Sequence, residues 1–140
     1  MLLALLQWCR LDPTAAGLAY ADLPDQMRDV HTLEQMAMRV AASSLSGVRE
    51  LLLAIPDKLL DPRVLAGIVR VGVQSDPAGV AEYALPLAED PDHHLEFDRV
   101  IRSWYERDPA ALERWIVELP AGRAKDLAST MLARAKARKP

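Results

Sequence analysis

Small and apolar positions recur along the chain every 32 residues. The stretches DPTAAGLAYADLP from Asp12, SLSGVRELLLAIP from Ser44, DPAGVAEYALPLA from Asp76 and DPAALERWIVELP from Asp108 align without gaps. Three open on Asp-Pro and the second on Ser-Leu, and an Asp or Ser before a first-turn Pro supplies a cap to a helix start. The fourth position is small (Ala15, Gly47, Gly79, Ala111) and the fifth is apolar (Ala16, Val48, Val80, Leu112). The eighth position (Ala19, Leu51, Tyr83, Trp115) and the twelfth (Leu23, Ile55, Leu87, Leu119) complete one face of a helix, here called helix A. Pro24, Pro56 and Pro120 predict its end in three copies. In the third copy, Ala88 replaces that proline, which predicts a break delayed to Asp90-Pro91.

A second stripe recurs in the rest of each unit: Leu33, Met36, Ala37 and Val40, then Leu65, Ile68, Val69 and Gly72, then Phe97, Val100, Ile101 and Trp104. Its i, i+3, i+4, i+7 spacing predicts an amphipathic helix B, opened by Asp61-Pro62 and Asp90-Pro91 in the second and third units. One unit upstream the stripe projects onto Met1, Ala4, Leu5 and Trp8, so the chain is expected to start on a helix B. Leu2, Leu3 and Leu6 then add apolar surface outside that stripe. One unit downstream it projects onto Ser129, Leu132, Ala133 and Lys136, half polar, as expected of a closing helix that faces water.

Neither helix of such a unit buries its stripe alone, so neighbouring units must stack. The fold expected is all-α: a right-handed stack of antiparallel helical hairpins, an α-solenoid of about nine helices. It forms a single domain over 1–140, with a leading half-repeat at 1–11 and repeats at 12–43, 44–75, 76–107 and 108–139. With its Asp-Pro openings and Trp115 in a first helix, the chain resembles the tetratricopeptide repeats among α-solenoids. It departs from them in lacking their Gly-Tyr pair and in a unit shorter than their usual length of about 34 residues. It is also similar to degenerate DP-x-A-A and LP repeats of bacterial proteins. The resemblance implies a non-catalytic scaffold that binds a protein or peptide.

Composition agrees with helix: 51% of residues are hydrophobic and aromatic residues are only 5%. A single cysteine, Cys9, leaves no internal disulfide and no cysteine-based zinc site, and a reducing cytoplasm is the expected location. The apolar run Met1 to Leu6 is too short to span a membrane and lacks the positive leader and cleavage pattern of a signal peptide. The net charge of −3 divides unevenly, +5 over residues 121–140 against −8 before them. That basic end offers nucleic-acid or acidic-partner binding as an alternative function, although cations near a helix C-terminus also complement its dipole.

Candidate chemistry is sparse. Asp90, Asp92, His93, His94 and Asp98 form the most site-like cluster, with His94 and Asp98 spaced to face one way, and define a second alternative, a metal-dependent helical domain. An acid-rich helix start explains the same residues without a metal. Ser44 is occupied by capping, and no nucleophile motif frames Ser43, Ser44 or Ser46. Cys9 is expected to be a buried hydrophobe, Trp104 and Trp115 to be core, and His31 to lie on the polar side of helix B. The six glycines are dispersed and build no phosphate loop, so no cofactor or metal is expected. The candidate partner-binding residues are Met1, Leu2, Leu3 and Leu6 on the apolar first helix, a surface for a longer solenoid or a homo-oligomer, and Arg134, Lys136, Arg138 and Lys139 on the basic last one.

Overall fold

The computed structural model describes residues 2–138, with the backbone alone at Leu2. All regular structure among the described residues is helical: α1 (Leu2–Leu11), α2 (Pro13–Ala21), α3 (Val30–Ser43), α4 (Leu45–Leu53), α5 (Pro62–Gly72), α6 (Pro77–Ala84), α7 (His94–Arg107), α8 (Pro109–Glu118) and α9 (Arg123–Arg138). Short 3₁₀ turns join α2 to α3, α4 to α5 and α6 to α7.

Four helix caps stand 32 residues apart. The side chains of Asp12, Ser44, Asp76 and Asp108 each accept a hydrogen bond from the backbone N–H three residues on, at 2.9 to 3.2 Å. Each therefore satisfies one of the orphan donors of a new helix. At three of these residues the backbone N–H also closes the helix before: Asp12 donates to Trp8, Ser44 to Val40 and Asp108 to Trp104, at 2.8 to 2.9 Å. One residue thus ends helix B and begins helix A, with no loop between them. At Asp76 a turn, Val73–Ser75, separates the cap from α5 instead.

The next feature along also repeats. Pro24 and Pro56 share extended backbone angles, φ −56°, ψ 148° and φ −59°, ψ 142°, and each leads into a 3₁₀ turn, Asp25–Met27 and Asp57–Leu59. Asp29 and Asp61 then accept from the N–H groups of His31 and Arg63 at the start of the following helix. The first of these loops is pinned further: Tyr20 donates its hydroxyl to the Asp29 carbonyl at 3.0 Å. Arg28 donates to the carbonyls of Ala21 and Leu23, which α2 leaves unpaired at its C-terminus, and pairs with Asp25.

The chain divides into two compact units, Met1–Gly72 and Val73–Pro140. In the first, α3 is central and packs on α1, α4 and most extensively α5, while α1 also packs on α2 and α2 on α4. Leu33, Met36, Ala37 and Val40 of α3 are buried, as the stripe predicted. Gly17 marks a close helix crossing: a Cβ there would lie 2.8 Å from Ala54 Cβ and 3.0 Å from the Leu51 carbonyl oxygen. In the second unit α7 is central, packing on α6, α8, α9 and the 3₁₀ turn Leu85–Glu89. Phe97, Val100, Ile101 and Trp104 are buried, and the Trp104 and Trp115 rings meet at 5.3 Å, tilted by 46°. Ser103 and Arg107 of α7 hold the turn before α6 by donating to the carbonyls of Val73 and Ser75.

Three expectations require correction. Pro86 ends α6 at Ala84, far earlier than the delayed break predicted for the third copy. Proline lacks the N–H that the next turn needs, and the chain tightens into the 3₁₀ turn Leu85–Glu89, which still buries Leu87 and Ala88. The Asp90-Pro91 cap likewise opens a 3₁₀ turn, Pro91–His93, and α7 proper begins at His94. Both outer helices are rotated from the projected stripe: α1 buries Leu5, Leu6 and Cys9 and leaves Ala4 and Trp8 outward, while α9 buries Ala128, Met131 and Ala135. At the fifth position of helix A the forecast holds fully, since Ala16, Val48, Val80 and Leu112 are all completely buried.

The shared caps should contribute alike. Asp12→Ala, Asp76→Ala and Asp108→Ala are each expected to lose about 1 kcal/mol in urea denaturation at unchanged m-value, with the Asn variants close to the parent. Gly17→Leu, which drives side-chain atoms into Ala54 and Leu51, should cost about 2 kcal/mol or more.

Candidate interaction surfaces

The candidate residues of the first helix separate on inspection. Leu3 is 64% exposed and stands on the surface. Leu6 is buried against the rest of its unit, which removes it from any exposed apolar face and assigns it to the core. Met1 and the Leu2 side chain lie outside the described residues. Sequence reasoning missed Trp8, 43% exposed, because it was placed on the buried stripe. Leu11 and Leu18 are also exposed and were not singled out. Between α1 and α2 lies a groove of about 360 Å³, lined by Ala4, Leu5, Trp8, Ala19, Leu23 and the carboxylate-bearing Asp22. A charge at the rim of an apolar groove limits what can enter it.

Cys9 is fully buried, and its thiol donates to the carbonyl of Leu6 at 3.1 Å and lies 3.7 Å from that of Met36. Burial pushes its pKa above the ordinary thiol value of 9.0, against the smaller opposing pull of Arg39. That is the environment of a packing cysteine and the reverse of an activated one. Tyr20, buried and bonded to the Asp29 carbonyl, is likewise raised above 10.0, first by burial and then by the Asp29 carboxylate.

The basic last helix is partly committed to its own unit. Lys136 forms an ion pair with Glu113 on α8, which holds its ammonium pKa up. Lys125 donates to the Val117 carbonyl in the last turn of α8, where a cation meets both an orphan acceptor and the negative end of the helix. Arg134 and Arg138 are exposed, and Lys139 lies outside the described residues.

The acidic and histidine cluster does not converge. Asp90 accepts from the Asp92 N–H, Asp98 is held by Arg102 at 2.8 Å, and His93 Nδ1 faces Glu96 at 3.9 Å. His94 Nε2 is buried without a hydrogen-bond partner, and the Asp98 carboxylate is taken by Arg102. Among the described residues no group of three or more His, Cys, Asp or Glu side chains is placed to hold a metal ion. Ser44 caps α4 and shares a 2.7 Å hydrogen bond with Ser46. His31 is exposed, as expected of the polar side of α3.

Helix A carries a further surface feature. Its tenth position, Ala21, Leu53, Leu85 and Val117, is apolar in every copy, with Ala21 and Leu85 half-buried. Leu53 is 82% exposed and Val117 72%. The signal was present in the aligned units but stood outside the helical face used to find the core. Among the described residues no helix is long and apolar enough to cross a membrane.

Cys9 and Tyr20 give the first unit a defined response to alkali. Both have folded-state pKa values raised above their ordinary ones, so their neutral forms favour folding. That contribution is complete below about pH 9 and is lost as pH rises through the raised values. The urea midpoint should therefore fall as pH rises above about 9, and Cys9→Ala should blunt the early part of the fall. In the native state at neutral pH, iodoacetamide should label Cys9 only at the rate of unfolding.

No protein-family model, curated protein or solved structure matches the chain.

Proposed function

We propose that the chain is a protein-interaction scaffold, built as a stack of helical hairpins that binds a protein or peptide along the outward face of its A helices. The contacts within the first unit support the stacked reading: B-type helices α1, α3 and α5 touch in sequence, and A-type helices α2 and α4 touch beside them. Repeated caps and Pro-led 3₁₀ turns give the first two repeats the same local geometry.

One observation carries the binding reading: at the tenth position of helix A, Leu53 and Val117 are apolar and largely exposed. A side chain of this kind gains roughly 1.5–3 kcal/mol when a partner covers it, and isolated in water it contributes little to folding. Its exposure at the same position of α4 and α8 supports a partner contact at each. Each compact unit presents one such side chain, Leu53 in the first and Val117 in the second, with no reaction attributed to the chain.

Leu53→Glu and Val117→Glu test this directly. Each should leave the urea midpoint within about 0.5 kcal/mol of the parent, because the positions are exposed, while abolishing capture of the partner from native-host extract. Capture that is undiminished in both variants would refute the assignment of this face.

A further inference from the structure

We propose that the cleft between α1 and α3, lined by Gln7, Arg10, Leu11, Arg39 and Ser43, is a binding site for a doubly charged phosphate oxyanion, either free phosphate or the phosphate group of a monoester. The site lies within the first compact unit, and the inference stands independently of the exposed positions of α4 and α8.

Among the described residues, every polar side chain lining the cleft can donate a hydrogen bond and none carries negative charge. Gln7, Arg10 and Leu11 stand at i, i+3 and i+4 on α1, and Arg39 and Ser43 at i and i+4 on α3, so each helix brings one guanidinium and one neutral polar group to the same space. The cleft has a volume of about 390 Å³, room for a phosphate with an organic substituent. Other arginines of the unit are matched: Arg28 with Asp25, Arg63 with Asp61 and Arg70 with Glu34. Among the described residues Arg10 and Arg39 have no carboxylate partner, which leaves two positive charges for a ligand to neutralise.

Neither the repeat nor helix electrostatics accounts for the pair. One unit on, the counterparts of Arg10 and Arg39 are Ala42 and Val71, so packing of the repeat does not call for a cation at either position. Arg10 lies in the last turn of α1, where the helix dipole favours a cation, whereas Arg39 lies before the last turn of α3, where that effect has faded. Their charges act on one neighbourhood: burial raises the Cys9 thiol, and Arg39 and Arg10 both oppose the rise. Two cations on one cleft repel each other, and an anion seated between them removes that repulsion.

Charge and shape select the ligand. A guanidinium offers paired N–H groups to two oxygens of one acceptor, and donors arriving from two helices call for an acceptor with oxygens on both sides. A phosphate monoester presents three strong acceptor oxygens and about two negative charges, whereas a carboxylate carries a single charge and leaves one arginine unmatched. Leu11, 86% exposed at the rim, offers the organic part of a monoester an apolar contact.

Titration of the full chain with inorganic phosphate and with phenyl phosphate, followed by the NMR signals of the arginine Nε–H groups, tests the site. The Arg10 and Arg39 signals should shift together and saturate in the millimolar range. Arg10→Gln and Arg39→Gln should each weaken binding by about tenfold or more at an unchanged urea midpoint, because both side chains are exposed. Affinity for phenyl phosphate should rise between about pH 5 and 7, as the second proton of a monoester leaves near pH 6. Phosphate bound at least as tightly as phenyl phosphate identifies the free ion as the ligand, and tighter binding of phenyl phosphate identifies a monoester. Failure of both probes to saturate, acetate bound as tightly as phosphate, or binding that survives both substitutions would each overturn the proposal. So would loss of binding in Arg134→Gln/Arg138→Gln with Arg10 and Arg39 intact, because the basic last helix would then hold the anion.

Discussion

Much of this structure depends on a single residue performing two hydrogen-bonding tasks. At Asp12, Ser44 and Asp108 the backbone N–H completes the outgoing helix while the side chain receives an N–H of the incoming one. Backbone polar groups that are buried or half-buried must find partners, and a change of direction normally exposes several at once. Satisfying both helix ends from one residue lets the chain turn without a loop. It also fixes where the next helix begins in relation to the last, so that the stripes of successive elements reach the core in register. Where a turn intervenes instead, at Val73–Ser75, the boundary between the two compact units falls alongside it.

The central helices were legible in the sequence because their environment is complete. α3 and α7 have neighbours on several sides, and each stripe residue named for them is buried. Helix-A positions were legible for the same reason at the fifth residue. The outer helices were less so. With packing partners on fewer sides, α1 and α9 satisfy the burial they can reach by rotating, so that Leu5, Leu6 and Cys9, and Ala128, Met131 and Ala135, become the inner faces. A projected period cannot supply that rotation, because it carries no information on which sides of a helix are packed. Pro86 was a different error: the alignment drew attention to the missing proline at Ala88, while a proline two residues earlier governed the backbone.

The candidate surfaces divide along the same line. Leu3 was visible as surplus apolar character, yet Leu6 from the same run turned inward and Trp8 from the supposed core turned outward. Basic residues of the last helix were readable as charge, whereas their engagement with Glu113 and the Val117 carbonyl depends on how α8 and α9 meet, which composition does not specify. Neither the role of Tyr20 nor that of Arg28 was legible. Their roles consist of hydrogen bonds to carbonyls, and carbonyls carry no signature of residue type.

Loopless junctions also decide where the chain tolerates a change in length. One residue added at Asp108 would turn α8 by about 100° about its axis relative to α7 and carry Leu112 and Ile116 away from the core. The Pro-led segment between α2 and α3 has an extended backbone at Pro24 and Arg28 on either side of its 3₁₀ turn, and its tip is exposed, so a similar insertion there spreads over several dihedrals. Lineages descended from this chain should therefore accumulate gaps between Pro24 and Asp29 and between Pro56 and Asp61, and keep the spacing across each helix B to helix A junction. The 32-residue length of the unit is held at one of its two corners and free to drift at the other.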